Sequence, residues 1–169
     1  QHYRTGLILY LADLKRSEFH LFKNVDIVKE CVNRKNELKD MLGRLYKEME
    51  RREDLLDQYE VSHVDRLPNK IPYIVIAIDE VFVLRNEKES MEIVEEISAL
   101  GRALGMFLIL SMQRPDAKAL DGQLKNNLTV RYAFRHSDRI NSNITLGPGT
   151  KEDASQISDQ EPGTFYMRY

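Results

Sequence analysis

An α/β fold with a mainly parallel sheet is what the sequence predicts, on three observations. Short, dense apolar runs at 7–11, 73–78 and 106–112 read as buried strands. Long charged segments lie between them, with apolar residues returning at helical spacing. That alternation of strand and helix is what parallel strands joined by helical crossovers require. In such sheets ligands gather at the carboxyl ends of the strands.

Taken in order, "LILYL" opens the chain as a strand and then turns polar. From about Asp26 to Tyr59, Ile27, Cys31, Leu38, Met41, Leu42, Leu45, Met49 and Leu56 form an apolar stripe, broadened by Val28, Val32 and Leu55. This predicts one long amphipathic helix, or two consecutive ones, uninterrupted by proline. Glu48, Glu50 and Glu53 mix with Lys47, Arg51 and Arg52 on what should be its solvated face. "VDRLPNKIP" is a loop stopped by Pro68 and Pro72. After the 73–78 strand, Met91, Val94, Ile97, Leu100 and Leu104 mark a helix ending near Gly105. "MFLILSM" follows as a third buried strand, broken at "QRPD", and "ALDGQLKNN" as a short helix. "LTVRYAFR" is a fourth strand with Leu128, Val130, Tyr132 and Phe134 on one face. "TKEDASQI" opens on a capping-box-like Thr150 and Asp153, and "GTFYMRY" is a last strand near an edge.

The 169 residues suit a single domain spanning 1–169. With 42% hydrophobic and 31% charged residues a packed core is within reach. A net charge of −2 excludes a nucleic-acid binder held by bulk charge, but not a local basic channel. Cys31 has no partner for an internal disulfide, which fits a reducing compartment. No apolar run approaches the ~18 residues of a membrane helix. There is no secretory signal, and the abrupt start suggests part of a longer protein.

The chemistry concentrates at one point. The apolar strand from Tyr73 ends in two adjacent carboxylates, Asp79 and Glu80. In ATPases of parallel α/β sheets, an acid at this edge helps hold Mg²⁺ and a neighbouring carboxylate polarises the attacking water. Asp79 would be the metal-side residue and Glu80 the base. The alternative is a strand that ends in acids, with Asp79 capping the next segment. Gln113 ends the "LILSMQ" strand, where a polar side chain could sense a terminal phosphate or simply start a turn. Arg102, between Gly101 and Gly105, could reach a neighbouring subunit's nucleotide or be an ordinary surface arginine.

"IVIAIDE", "ALGRALGMFLILSMQRP" and "NNLTVRYAFRHSDRINSNITL" occur in the order and near the spacing of the FtsK/SpoIIIE motor ATPases, which this chain resembles over nearly all its length. "LADLKRSEF" resembles that family's second-strand motif and "YKEMERREDLL" the helix before the acidic strand. The resemblance implies a RecA-like P-loop NTPase core using ATP and Mg²⁺, assembled as a ring, usually a hexamer, with hydrolysis at subunit interfaces. Most such motors move double-stranded DNA, in chromosome segregation or conjugation; a related branch serves type VII protein secretion. The motor domain would be cytoplasmic, in a parent protein that can be anchored at the membrane upstream. Asp79 and Glu80 match the Walker B acids, Gln113 the sensor glutamine and Arg102 the arginine of the neighbouring site.

The chain departs from the pattern in several places. No stretch reads G-x-x-x-x-G-K-[ST], the loop that cradles phosphates, and "GPGTK" at 147–151 reads as a turn. The phosphate loop would lie upstream of Gln1, making the chain a fragment; otherwise the domain is a non-catalytic assembly module. The "FKNVDIVKE" connection is short for the family, or residues are missing between Val25 and Asp26. Met112 replaces a common threonine, and Asn141 and Asn143 replace a common acid and arginine. Lys125, Arg131, Arg135 and Arg139 could face DNA phosphate or serve salt bridges or an intersubunit surface, and none is assigned to DNA.

Overall fold

The computed structural model describes residues 6–16, 18–113 and 122–169. These form two compact units, the first running to Met112 and the second starting at Gln113.

The first unit is built on a parallel sheet. Its strands are β1 (Leu7–Asp13), β2 (Val28–Val32), β3 (Tyr73–Asp79) and β4 (Met106–Leu110), in spatial order β2-β1-β3-β4. Helix α1 (Lys35–Gln58) connects β2 to β3, and α2 (Lys88–Leu104) connects β3 to β4. The two helices pack on each other, and α2 packs on β4. Ile74, Ile76 and Ile78 alternate along β3 and are buried with Met106, as are Leu38, Met41, Leu42, Leu45 and Met49 of α1. This is the core, built from one face of the sheet and the apolar stripes of both helices.

The expectation of a parallel α/β sheet therefore holds, with corrections. Residues 28–32 are a strand, not the start of the long helix. Two β-branched valines suit a pleated edge strand, and the backbone pairs with Leu9–Ala12. Helix α1 starts only after Asn33, whose N–H is accepted by the Glu37 carboxylate at 3.2 Å. A turn closed by Val28 N–H on the Val25 carbonyl, 2.8 Å, carries the chain through the short Val25–Asp26 connection. Strand β4 is buried on one face only: Phe107 and Ile109 are exposed. Leu100 is also exposed, and the buried face of α2 passes instead through Val94, Ile97, Gly101 and Leu104. Gly101 is there for space, since a Cβ would overlap the Met106 carbonyl. The helix ends, as expected, at Gly105 in the left-handed conformation (φ 66°).

Arg52 needs the largest correction. Instead of facing water with Glu48 and Arg51, it is 1% exposed. Its guanidinium donates to Glu48 (2.8 Å), to the Leu104 carbonyl (2.7 Å) and to the Pro72 carbonyl (2.8 Å). It thereby ties α1 to the end of α2 and the entry to β3.

Glu87, just before α2, joins the two helices at their other ends through Lys35 (2.6 Å) and Lys39 (2.8 Å) of α1. Hydrogen bonds from Lys35 and then Lys39 hold its carboxyl at about 2. A carboxyl depressed on folding contributes stability that is complete above the ordinary carboxylate range and fades as pH falls through the folded value. Glu87→Gln should therefore melt below the parent near neutral pH. The gap should close as pH falls from the ordinary range to about 2. Thermal melts of both proteins across that window test it, and a gap that does not change with pH would contradict it.

The second unit contains α3 (Gly122–Asn127), β5 (Arg131–Phe134), α4 (Arg139–Leu146) and β6 (Phe165–Arg168). β5 and β6 pair antiparallel in a sheet of their own, so the fourth strand does not extend the parallel sheet. It is also shorter than expected, leaving 128–130 outside it. Val130, Tyr132 and Phe134 are all exposed, while Ala133 is buried with Leu146, Ala154 and Ile157. The part of "ALDGQLKNN" before Gly122, like the "RPD" of the break, lies outside the described residues. Helix α4 is not in the sequence-based reading, although its cap is visible there: Asp138 accepts the Asn141 N–H at 2.8 Å. Asp153, not Thr150, caps the 3₁₀ turn Ala154–Gln156, by accepting the Ser155 N–H. The glycine-rich 147–151 stretch is a turn, with positive φ at Gly147 and Gly149. Among the described residues no helix is long and apolar enough to cross a membrane.

Candidate functional site

β1 and β3 run in step to their carboxyl ends, so that Asp13 lies directly opposite Asp79. Directly paired residues of parallel strands share a face. The chain leaving β4 closes the same edge: Ser111 N–H donates to the Ile78 carbonyl, and Val81 N–H donates to the Ser111 carbonyl, both at 3.0 Å. Ser111 Oγ then donates to Asp79 Oδ1 at 2.8 Å, fixing the half-buried carboxylate at the strand end.

Glu80 sits where the chain turns off the strand, in the left-handed region at φ 68°, ψ 66°. For a residue with a Cβ this costs on the order of 1 kcal/mol, and such strain gathers at functional positions. The turn allows Val81 and Leu84 of the next 3₁₀ turn to be buried. It also brings the Glu80 carboxylate to Lys15, whose Nζ lies 2.6 Å from Oε2. The Glu80 side chain is 12% exposed.

Lys15 belongs to the turn after β1, and Asp13 organises that turn. The Asp13 side chain is 1% exposed and accepts backbone N–H groups from Glu18 (3.1 Å) and His20 (3.3 Å), with His20 Nδ1 at 3.6 Å. Three carboxylates, Asp13, Asp79 and Glu80, therefore share one sheet edge with a serine hydroxyl and an ammonium. Among the described residues no group of three or more His, Cys, Asp and Glu side chains could hold a metal ion. A cation at Asp79 would need phosphate oxygens and water for most of its shell, which is how Mg²⁺ is usually held.

The structure thus brings Asp79 and Glu80 together and adds Lys15, Asp13 and Ser111, which sequence reasoning missed. The "LADLK" segment contains the first two, but their place beside Asp79 and Glu80 depends on the pairing of β1 with β3. Arg102 is elsewhere. It is exposed in the last turn of α2, beyond which the Gly105 carbonyl accepts the Ile74 N–H at 2.8 Å. Ile74 stands at the amino end of β3, five residues or about 16 Å from Asp79 at strand rise. Gln113 is exposed and opens the second unit. Two cavities have neither Asp79 nor Glu80 in their lining: a groove of about 660 Å³ whose lining includes Leu56, Asp57, His63, Leu100 and Arg102, and one of about 580 Å³ at the β2 side of the carboxyl edge, beside Arg16, Cys31 and Asn33.

The basic candidates have local work. Arg131 donates to the carbonyls of Lys125 (2.6 Å), Leu128 (3.0 Å) and Thr145 (3.4 Å), and Arg168, opposite it on β6, to that of Leu146. These carbonyls lie at the C-terminal ends of α3 and α4, where cations offset the helix dipole. Two arginines can thus face each other across a sheet. Burial first, then Arg131 and Arg168, push the Lys125 ammonium below its ordinary value. Arg139 lies 4.0 Å from Asp153, and Arg135 is exposed. Asn141 completes the Asp138 cap, and the Asn143 carbonyl accepts the Gly147 N–H at 2.8 Å. Met112 is half-buried.

No family model matches the chain. Curated relatives include proteins named DNA translocase FtsK. The one from Helicobacter pylori (strain ATCC 700392 / 26695) is 30% identical over 151 residues, 83% of this chain and 18% of the relative. That of Staphylococcus epidermidis (strain ATCC 12228) is 29% identical over 161 residues, 85% of this chain and 20% of the relative. The chain spans about a fifth of the length of these relatives. Among solved structures, the pCW3 conjugation coupling protein TcpA with ATPγS has a TM-score of 0.83 at 23% identity, over 96% of this chain and 49% of that one. The cytoplasmic domain of the type VII secretion ATPase EccC of Thermomonospora curvata has 0.80 at 23%, over 98% and 21%. These likenesses show the fold, a mainly parallel α/β sheet flanked by helices.

Proposed function

From the premise that this chain is a relative of the FtsK/SpoIIIE motor ATPases, we propose that it is part of an ATP-driven motor that moves double-stranded DNA. The observation that carries the reading is the pair Asp79–Glu80 at the carboxyl end of β3, braced by Ser111 and Lys15. Residues 1–169 are one partial motor domain in a longer protein, cytoplasmic and with its parent anchored at the membrane. It works in a ring, a hexamer, with ATP hydrolysed between subunits, in chromosome segregation or conjugative transfer.

Asp79, oriented by Ser111, would hold Mg²⁺. That ion would supply charge neutralisation on the ATP phosphates. Glu80 accepts a hydrogen bond from the attacking water and turns its lone pair toward the terminal phosphate. Gln113 senses that phosphate, and Arg102 reaches the site of the neighbouring subunit. Residues 1–169 alone should hydrolyse nothing, because the sequence contains no G-x-x-x-x-G-K-[ST] loop.

The test is Glu80→Gln in the full-length protein with Mg-ATP and duplex DNA. Turnover should fall by about 10²-fold or more while ATP still binds. Parental turnover in that variant removes the catalytic assignment. Likeness in fold to EccC, a type VII secretion ATPase, favours a second reading, a secretion ATPase with protein cargo. Turnover that rises on adding duplex DNA supports the first reading, and indifference to DNA supports the second.

A further inference from the structure

We propose that Lys15 is a positioning residue for Glu80, setting where its carboxylate stands when it acts on water. The inference rests on the assignment of Glu80 as the water-polarising group. Glu80 leaves β3 in a left-handed conformation, and its side chain makes no capping hydrogen bond to the 3₁₀ turn that follows. Its carboxylate instead meets an ammonium 65 residues earlier in the chain, with Nζ to Oε2 at 2.6 Å.

A lysine stem has four rotatable carbons and fixes little by itself. Here the turn that carries it is secured. The buried Asp13 carboxylate accepts the N–H groups of Glu18 and His20, and the Asp13 carbonyl accepts the N–H of Arg16 at 3.1 Å. Asp13 and Asp79 are paired across β1 and β3, so the turn with Lys15 and the turn with Glu80 leave the sheet side by side. Holding Oε2 fixes the plane of the whole carboxylate, and Lys15 also brings a positive charge to an edge carrying three carboxylates. A short, partly buried ion pair on a strained residue is the arrangement expected where a group must be held before it acts.

Lys15 touches no reacting atom on this reading and works only through Glu80. The experiment is a cycle of Lys15→Ala, Glu80→Gln and the double variant in the full-length protein, with Mg-ATP and duplex DNA, reading kcat, KM and slow single turnover. Lys15→Ala should lower kcat by about 10- to 100-fold, the scale of a small misplacement. Its KM for ATP should stay within about threefold, since only transition-state geometry changes. Lys15→Arg should restore most of the rate. In the Glu80→Gln background, removing Lys15 should cost nothing further.

Three results would overturn the proposal: parental kcat in Lys15→Ala, a raised KM with kcat unchanged, or a further loss in the double variant. If Lys15→Ala does not fold, Lys15→Met, which keeps the stem, replaces it. The failures are distinguishable. Parental turnover in Glu80→Gln sinks the assignment of Glu80 itself. An inactive Glu80→Gln beside a fully active Lys15→Ala sinks only the role of Lys15.

Discussion

Arg52→Ala should destabilise the first unit by about 3–5 kcal/mol, the usual scale for breaking a buried, hydrogen-bonded charge network. Leu104 and Gly105 end α2, and the last carbonyls of a helix have no partner within it. Arg52 Nη1 supplies one, at 2.7 Å to Leu104 and 3.4 Å to Gly105. Its Nη2 satisfies the Pro72 carbonyl next to β3, and its Nε meets Glu48. Alanine removes the donors, leaves a cavity and strands Glu48. Arg52→Lys keeps the charge without the fork of donors, and should fall between the two. Urea unfolding at constant m measures all three proteins. A loss below about 1 kcal/mol, the scale of an exposed pair, would show that this network does not hold the helices.

Arg52 also shows where sequence reading stops. It lies in a run of alternating charges, the pattern of a wet helix face, and nothing in one helix reveals that the end of another is aimed at it. The run 28–32 fails differently. Val28, Cys31 and Val32 fit both a helical stripe and a strand, and only pairing with Leu9–Ala12 decides. Long, strongly periodic elements such as α2 were legible because helix formation there is a local matter of spacing and a terminal glycine. Even so, Leu100 fits the spacing and is exposed, because the close approach of Gly101 to Met106 sets the rotation of that helix.

At the site, Asp79 and Glu80 were legible because two acids at the end of an apolar strand are a local signal. Lys15 and Ser111 were not, because their contacts depend on which strands are neighbours and in what register. In the second unit Arg131 looked available for phosphate by sequence. The structure spends its donors on three carbonyls, a role that no charge count anticipates.

Mixing two inactive variants should restore activity, and this is the sharpest test of Arg102. The residue sits on the last turn of α2, at the amino end of β3, while Glu80 follows the carboxyl end. A separation of about 16 Å along the strand is beyond an arginine's reach, so any action on a phosphate near Glu80 must come from another subunit. Arg102→Ala should then lower turnover by about 10³-fold or more, the scale of a lost arginine finger. It should barely move the melting temperature, since the residue is exposed. Subunits with Glu80→Gln still supply Arg102, and subunits with Arg102→Ala still supply Glu80. In a head-to-tail ring mixed one to one, about a quarter of the interfaces would pair the intact halves of each. If interfaces fire independently, the mixture should recover up to about a quarter of parental turnover. Two affinity tags confirm that mixed rings form. Mixed rings as inactive as either parent variant would mean that Arg102 serves no neighbouring site.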